Sequence, residues 1–278
     1  MVLVTRNKLT PVFYTNGQPC VKLSDGDDDG DVLTGDMDGD GHDELIVEIE
    51  KVAESIKVFG RMGNRMSEFM LDMKLSNAVA GDVDGDGRDE LLNIEGGALA
   101  AYGLQKEHFE VAGWPYGYYP SACSDLDGDG YDEIIACQTK MITPDYYDPL
   151  TRQFKGLGKD ASKDDFLKWV QKNAAPQGGI FHPKTKEFDK FDFPEANWRL
   201  NIFTGERGQV FCVDLDGDGV KEIAAKPTLA TLLLIYDRQG NLKYQEEFGK
   251  PAIGMAAAHS KGRDYLVVQL EDKLLIYP

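Results

Sequence analysis

The stretch Asp36-Met37-Asp38-Gly39-Asp40-Gly41-His42-Asp43-Glu44-Leu45-Ile46-Val47 decides the fold, because its pattern occurs four times. D-x-D-G-D-G-x-x-E returns at Asp82–Glu90, Asp125–Glu133 and Asp214–Glu222, and each copy runs into short aliphatic segments (Leu91-Leu92, Ile134-Ile135, Ile223-Ala224). Carboxylates at positions 1, 3 and 5 converge within one turn, and glycine at position 6 permits the backbone reversal that carries the chain around an ion. Position 7 can offer its backbone carbonyl, and the glutamate at position 9 can close the shell. The candidate ligands are therefore Asp36, Asp38, Asp40, His42 and Glu44, then Asp82, Asp84, Asp86, Arg88 and Glu90. The third loop offers Asp125, Asp127, Asp129, Tyr131 and Glu133, and the fourth Asp214, Asp216, Asp218, Val220 and Glu222; His42, Arg88, Tyr131 and Val220 count for their main-chain oxygens. Hard oxygen donors in a flexible ring suit calcium, whereas magnesium wants a stricter octahedron and zinc wants nitrogen or sulfur. Bare acidic turns are a poor explanation, since three aspartates in five residues repel one another without a cation. Arg88 and Lys221 lie within two of the loops and are expected to face outward.

An EF-hand fails on spacing. Position 12 is Val47, Asn93, Ala136 and Ala225 rather than a bidentate glutamate, and the following residues are strand-like rather than helical. The loops begin 46, 43 and 89 residues apart, and a unit of 40 to 50 residues belongs to a propeller blade or a helical-repeat array. After the first loop come Glu44–Glu50, Glu54–Phe59, a turn at Gly60–Asn64, Arg65–Met73 and Asn77–Ala80: short strands between Gly/Asn turns.

On Gly35–Val47 and its three relatives, the chain resembles the FG-GAP (VCBS-type) repeat family, the β-propellers of integrin α-subunits, fungal and bacterial lectins and some polysaccharide lyases. The resemblance implies that each calcium loop joins the innermost strand of a blade to the second, with innermost strands at about 31–35, 77–81, 120–124 and 209–213. The chain departs from the integrin pattern in carrying Glu rather than Asp at position 9, and the signatures that give the family its name are not clear. The expected fold is one all-β domain over residues 1–278, a propeller of four-stranded antiparallel blades, five in number, with six as the alternative.

The 89-residue gap reads as one blade with an insertion at 141–178. Its second strand would be Glu133–Cys137 and its outer strands Gly179–Phe188 and Trp198–Phe203. The insertion holds an expected helix, Ser162–Asn173, with Ser162 as N-cap and Phe166, Trp169 and Val170 on one face. The C-terminus reads as a worn copy: Ile253–His259, then Ser260–Asp264 where the loop has lost its acids, then Tyr265–Leu270 and Lys273–Tyr277. Val2–Thr5, Pro11–Thr15 and Cys20–Leu23 are expected to close the ring with these strands, removing exposed edges.

With 278 residues and 42% hydrophobic content the chain can bury a full core. Its formal charge of −18 argues against nucleic-acid binding. No apolar run spans a membrane, and Met1–Thr10 lacks a signal-peptide layout. Calcium loops fit calcium-rich compartments, so a secreted or cell-surface location is expected. Cys20, Cys123, Cys137 and Cys212 are too sparse for a disulfide scaffold; buried thiols are the favoured reading, although Cys123 and Cys137 lie on one hairpin. Asp25–Asp31 mimics a loop, but Leu33 stands at its ninth position.

Nothing singles out a catalytic residue. His42, His108, His182 and His259 show no zinc spacing, and no nucleophile elbow or P-loop occurs. The aromatic stretch Trp114-Pro115-Tyr116-Gly117-Tyr118-Tyr119, with Tyr146 and Tyr147 in the insertion, offers faces that stack on sugar rings or pack the insertion. Three functions are open on these residues: a calcium-stabilised carbohydrate-binding propeller, a polysaccharide lyase or hydrolase (or a fragment of one), and an adhesion scaffold for a protein ligand.

Overall fold

The computed structural model describes residues 12–13, 19–21, 32–49, 55–60, 65–70, 75, 78–105, 107–138, 147–148, 153–154, 162, 165, 177–192, 209–226, 231–250, 252–260 and 263–278. Strands β1 (Val12–Phe13) and β2 (Pro19–Val21) pair with each other. Blade 1 is β3 (Val32–Gly35), β4 (Glu44–Ile49), β5 (Ser55–Phe59) and β6 (Arg65–Met70). Blade 2 is β7 (Val79–Gly81), β8 (Glu90–Glu95), β9 (Ala98–Tyr102) and β10 (His108–Glu110). In blade 3, β11 (Tyr118–Ser124) and β12 (Glu133–Gln138) are separated in sequence from the outer strands by the short pair β13 (Tyr147–Asp148) and β14 (Gln153–Phe154). The outer strands are β15 (Gln177–His182) and β16 (Glu187–Asp192). Blade 4 is β17 (Gln209–Val213), β18 (Glu222–Lys226), β19 (Leu232–Tyr236) and β20 (Leu242–Glu247). Blade 5 has three strands among the described residues: β21 (Gly254–Ser260), β22 (Arg263–Gln269) and β23 (Leu274–Tyr277).

Every blade is an antiparallel meander in chain order, and the chain is an all-β protein of the five-bladed β-propeller class. No helix among the described residues is long and apolar enough to cross a membrane. The structure divides into two compact units, one of residues 1–114 with Gly130–Asp132, the other of Pro115–Asp129 and Glu133–Pro278.

The second strand of each blade is covered on both faces, which explains its continuous apolar run. Ile46, Leu91, Leu92, Ile134, Ile135, Ile223 and Ala224 are all fully buried. By contrast β20, an edge strand, is almost wholly exposed.

Each loop also contributes to the core through its second residue. Met37 is fully buried among Ile46, Ile56, Leu91 and Tyr102 in the first unit. In the second unit Leu126 lies among Ile135, Val210 and Ile223, and Leu215 packs against Val213, Met255 and Leu266. In these three loops the unspecified "x" at position 2 is thus an apolar peg set between one blade and the next.

Two expectations are corrected. Gly179–Phe188 is not one strand but the hairpin β15–β16. Its turn carries no Gly or Asn to announce it; instead Lys186 adopts the left-handed conformation (φ 63°) and donates its amide to the His182 carbonyl at 2.7 Å. The favoured thiol reading of the cysteines agrees with the structure: Cys123 pairs with Ile134 and Cys137 with Tyr119, and neither they nor Cys212 form a disulfide; Cys137 is buried and the other two half-buried. The fifth hairpin has not lost every acid: it keeps Asp264. Of the expected helix only Ser162 and Asp165 are described, and they form a reciprocal cap. Asp165 N donates to Ser162 Oγ at 3.2 Å and Ser162 N to Asp165 Oδ2 at 3.0 Å. Val2–Thr5, Trp198–Phe203 and the Asp25–Asp31 turn lie outside the described residues, as does Tyr146.

Because Met37 fills space that its neighbours cannot reclaim, Met37→Ala is expected to cost about 2–5 kcal/mol in denaturant unfolding. A loss under about 0.5 kcal/mol would show that the peg carries no packing load.

Candidate metal centres

The four loops share one hydrogen-bonded frame. In the first, Gly39 N and Asp40 N donate to Asp36 Oδ1 at 2.9 and 3.0 Å, and Gly41 N donates to Asp36 Oδ2 at 2.8 Å. Asp40 N donates to Asp38 Oδ1 at 3.1 Å and His42 N to Asp40 Oδ1 at 2.9 Å. The chain turns this tightly because Gly39 and Gly41 take φ of 76° and 82°, a region costly for any residue with a Cβ. Asp82 and Asp214 hold the equivalent glycines at 2.7–3.0 Å, and Asp125 holds Gly128 at 2.7 Å.

In every loop one carboxylate oxygen from each of positions 1, 3 and 5 lies within 4.8 Å of the others. The sets are Asp36–Asp38–Asp40, Asp82–Asp84–Asp86, Asp125–Asp127–Asp129 and Asp214–Asp216–Asp218. An all-oxygen set gathered by the backbone fits a hard divalent cation such as calcium.

The glutamate at position 9 is the first residue of the second strand, and strand pairing fixes where it points. Glu44, Glu90 and Glu133 are 2–4% exposed, and Glu222 is half-buried. One oxygen of each is spoken for: Oε2 accepts from Asp38 N (3.2 Å), Val83 N (3.2 Å), Leu126 N (2.9 Å) and Leu215 N (2.9 Å) respectively. Burial, then the nearby aspartates, push Glu44 up to about 7 and Glu90 up to about 8; burial also raises Glu133 and Glu222.

Position 8 has a role the spacing did not announce. Asp89 Oδ2 accepts from Asp36 N at 2.8 Å, and Asp89 N donates back to the Asp36 carbonyl at 2.8 Å. Asp132 makes the same pair with Asp82, at 3.2 and 2.6 Å, and Asp264 of the worn hairpin accepts from Asp214 N at 3.0 Å. Each of these aspartates belongs to the hairpin that follows the loop it grips. Burial raises the Asp89 carboxyl to about 6. The signal in the sequence was the retention of Asp264 after every other acid of that hairpin had gone.

Arg88 is exposed, as expected, whereas Lys221 is half-buried and turned to a partner. The Arg88 side chain lies over Gly39 of the preceding loop, and Tyr131 lies over Gly85 in the same way; a Cβ on either glycine would meet them at 3.0 and 2.5 Å. Lys221 stands at position 8 of the fourth loop and donates to Ser124 Oγ at 2.8 Å. The position-7 amides of Arg88 and Val220 donate to Asp86 Oδ1 and Asp218 Oδ1 at 3.0 and 2.7 Å, as His42 does in the first loop.

The aromatic candidates are dispersed. Tyr118 is buried with its ring edge-on to Phe188 (4.6 Å, 68°), Trp114 and Tyr119 are half-buried, and Tyr116 is 85% exposed. Tyr147 lies in β13.

No family model and no curated protein matches this chain. Solved structures do resemble it at low identity. A rhamnogalacturonan lyase of Bacillus licheniformis shares 17% identity over 86% of this chain and 39% of its own (TM-score 0.38). The V. cholerae biofilm matrix protein Bap1 shares 14% over 82% of this chain and 30% of its own (TM-score 0.40). A lectin of Agrocybe aegerita, described as recognising non-reducing terminal N-acetylglucosamine, shares 12% over 86% and 60% (TM-score 0.44). The chain spans well under half the length of the first two.

Two outcomes follow from this geometry. Without metal, Glu44 and Glu90 keep their protons in the folded state up to about pH 7 and 8, but ionise near 4.5 once unfolded. The folded state therefore binds more protons in that interval. The associated stability is complete below about pH 4.5 and is lost as pH rises through 7 to 8. Melting in chelator should fall between about pH 5 and 8, and calcium should flatten the slope; a melting point that rises over this range would contradict it. Separately, Asp89→Ala should cost about 1–3 kcal/mol in denaturant unfolding by orphaning the Asp36 amide, while Asp43→Ala, at an exposed position 8, should stay within about 0.5 kcal/mol. Equal effects would deny the grip of position 8.

Proposed function

We propose that this chain is a calcium-stabilised binding propeller of the FG-GAP/VCBS type, acting outside the cell or at its surface, with carbohydrate as its ligand class. The observation that carries the calcium reading is the fourfold recurrence of one preorganised oxygen cluster, each held by its own backbone amides. Three carboxylates gathered within 4.8 Å repel one another, and a divalent cation converts that repulsion into attraction. The ions are structural in this reading. They stiffen turns from which the second strands, the apolar pegs and the position-8 aspartates all depart. The carbohydrate reading rests on Tyr116, whose exposed ring presents an apolar face and a hydroxyl to solvent. The formal charge of −18 favours neutral or cationic ligands over polyanions.

Calcium should raise the melting temperature strongly over that in chelator, and identical melts would refute the structural ions. A glycan array probed in calcium should show binding that Tyr116→Ala reduces without changing the melt. Binding indifferent to that substitution, or none at all, would remove Tyr116 from the ligand site.

A further inference from the structure

Among the described residues, Glu133 has a histidine neighbour that no other position-9 glutamate has. Across the second and third strands of the blades, Leu45 pairs with Phe59, Leu91 with Tyr102, Ile134 with Phe181 and Ile223 with Tyr236. One residue further on, beside each glutamate, stand Gly60, Gly103, His182 and Asp237. The Asp237 carboxylate is turned to its own hairpin, accepting the amides of Gln239 and Asn241 at 3.0 and 2.8 Å. Among the described residues, only in blade 3 does a side chain with a nitrogen ligand face the glutamate.

His182 Nδ1 lies 3.3 Å from Glu133 Oε1. Glu133 Oε2 is held by Leu126 N at 2.9 Å, so Oε1 is the oxygen presented to the imidazole. One ligand atom each from Asp127, Glu133 and His182 falls within 4.8 Å of the other two. The other ring nitrogen, Nε2, is 3.5 Å from Asp189 Oδ2, the carboxylate–histidine arrangement that orients a metal-bound imidazole. The same hairpin supplies Lys184, whose Nζ sits 3.1 Å from Asp129 Oδ2 and 3.4 Å from the Asp129 carbonyl. The position-5 carboxylate of this loop is already paired with a lysine, which makes the loop a poorer calcium turn, while His182 adds a nitrogen ligand that calcium does not favour.

We propose that Asp127, Glu133 and His182 form a mixed nitrogen–oxygen site for a borderline divalent cation of the zinc class, distinct in chemistry from the all-oxygen loops. It rests on the reading of these turns as metal-binding but not on the identity of the ion in the other three. Asp189 is a positioning residue for the ring.

The test is zinc titration of the whole chain in excess calcium, followed by calorimetry, with bound cobalt read by its visible absorption. Wild type should take about one zinc ion per chain with affinity that calcium does not abolish. His182→Gly, which restores the residue of blades 1 and 2, should weaken zinc by more than about tenfold and remove the cobalt band, with calcium binding elsewhere unchanged. Lys184→Ala keeps all three donors and should keep zinc. Zinc bound equally by wild type and His182→Gly would overturn the site, as would loss of zinc in Lys184→Ala. Calcium binding without zinc binding would sink this proposal and leave the calcium loops standing. Zinc dependent on His182 without calcium binding would do the reverse.

Discussion

A carboxylate held inside an apolar strand is the constraint on which the rest of this molecule depends. The glutamate at position 9 begins the second strand of its blade, where pairing aims it inward and away from water. Isolated there it would be costly, and it is tolerated because one oxygen accepts the amide at the start of its own loop. That bond fixes the loop against the strand. The same carboxylate sits beside three aspartates, so its protonation and the charge of the loop are coupled. Either a proton or a cation must be supplied, and without a cation the proton is given up only as pH rises through about 7 to 8. The acidic turn and the buried strand are thus two halves of one electrostatic problem.

Its solution extends beyond a single blade. The second residue of the loop drives an apolar peg towards the following blade, and an aspartate from that blade returns to hold the amide of the first residue. Met37 with Asp89 shows this in the first unit, and Leu215 with Asp264 in the second. Dispersion and burial supply the attraction, while the paired hydrogen bonds set the register in which the pegs meet their neighbours. Where Lys221 replaces the aspartate, the side chain still reaches back to the preceding hairpin but donates, to Ser124 Oγ, where the aspartates accept. The loops are therefore joints between blades as well as turns within them, and their charge state bears on how firmly successive blades are coupled.

Repetition with local departure is also how such a chain differentiates its sites. Three loops keep glycine or a self-contained aspartate beside the ninth-position glutamate, and one places an imidazole there. One worn hairpin drops the acids that would hold an ion yet keeps the acid that holds its neighbour. Substitution at a single register position changes the donor chemistry of a turn without touching the strand pairing that positions it.

The sequence by itself determined the repeat, the acidic positions of each loop, the antiparallel blades and the bounds of most strands. These follow from local rules: glycine where the backbone must turn left-handed, aspartate spacing within one turn, and aliphatic runs where a strand is covered on both faces. Tertiary structure alone decided which side chains meet across blades. Lys221 reads as solvent-facing because nothing local opposes it, yet it bonds Ser124, 97 residues away, and the exposed Arg88 rests its stem on Gly39 of another loop. The grip of Asp264 on Asp214 spans 50 residues and the approach of His182 to Glu133 spans 49. A hairpin whose left-handed residue is Lys186 rather than glycine also escaped the local rules. Pattern within a turn is set by the chain's own covalent geometry and is legible; partnership between turns is set by how sheets stack, and only the folded molecule specifies it.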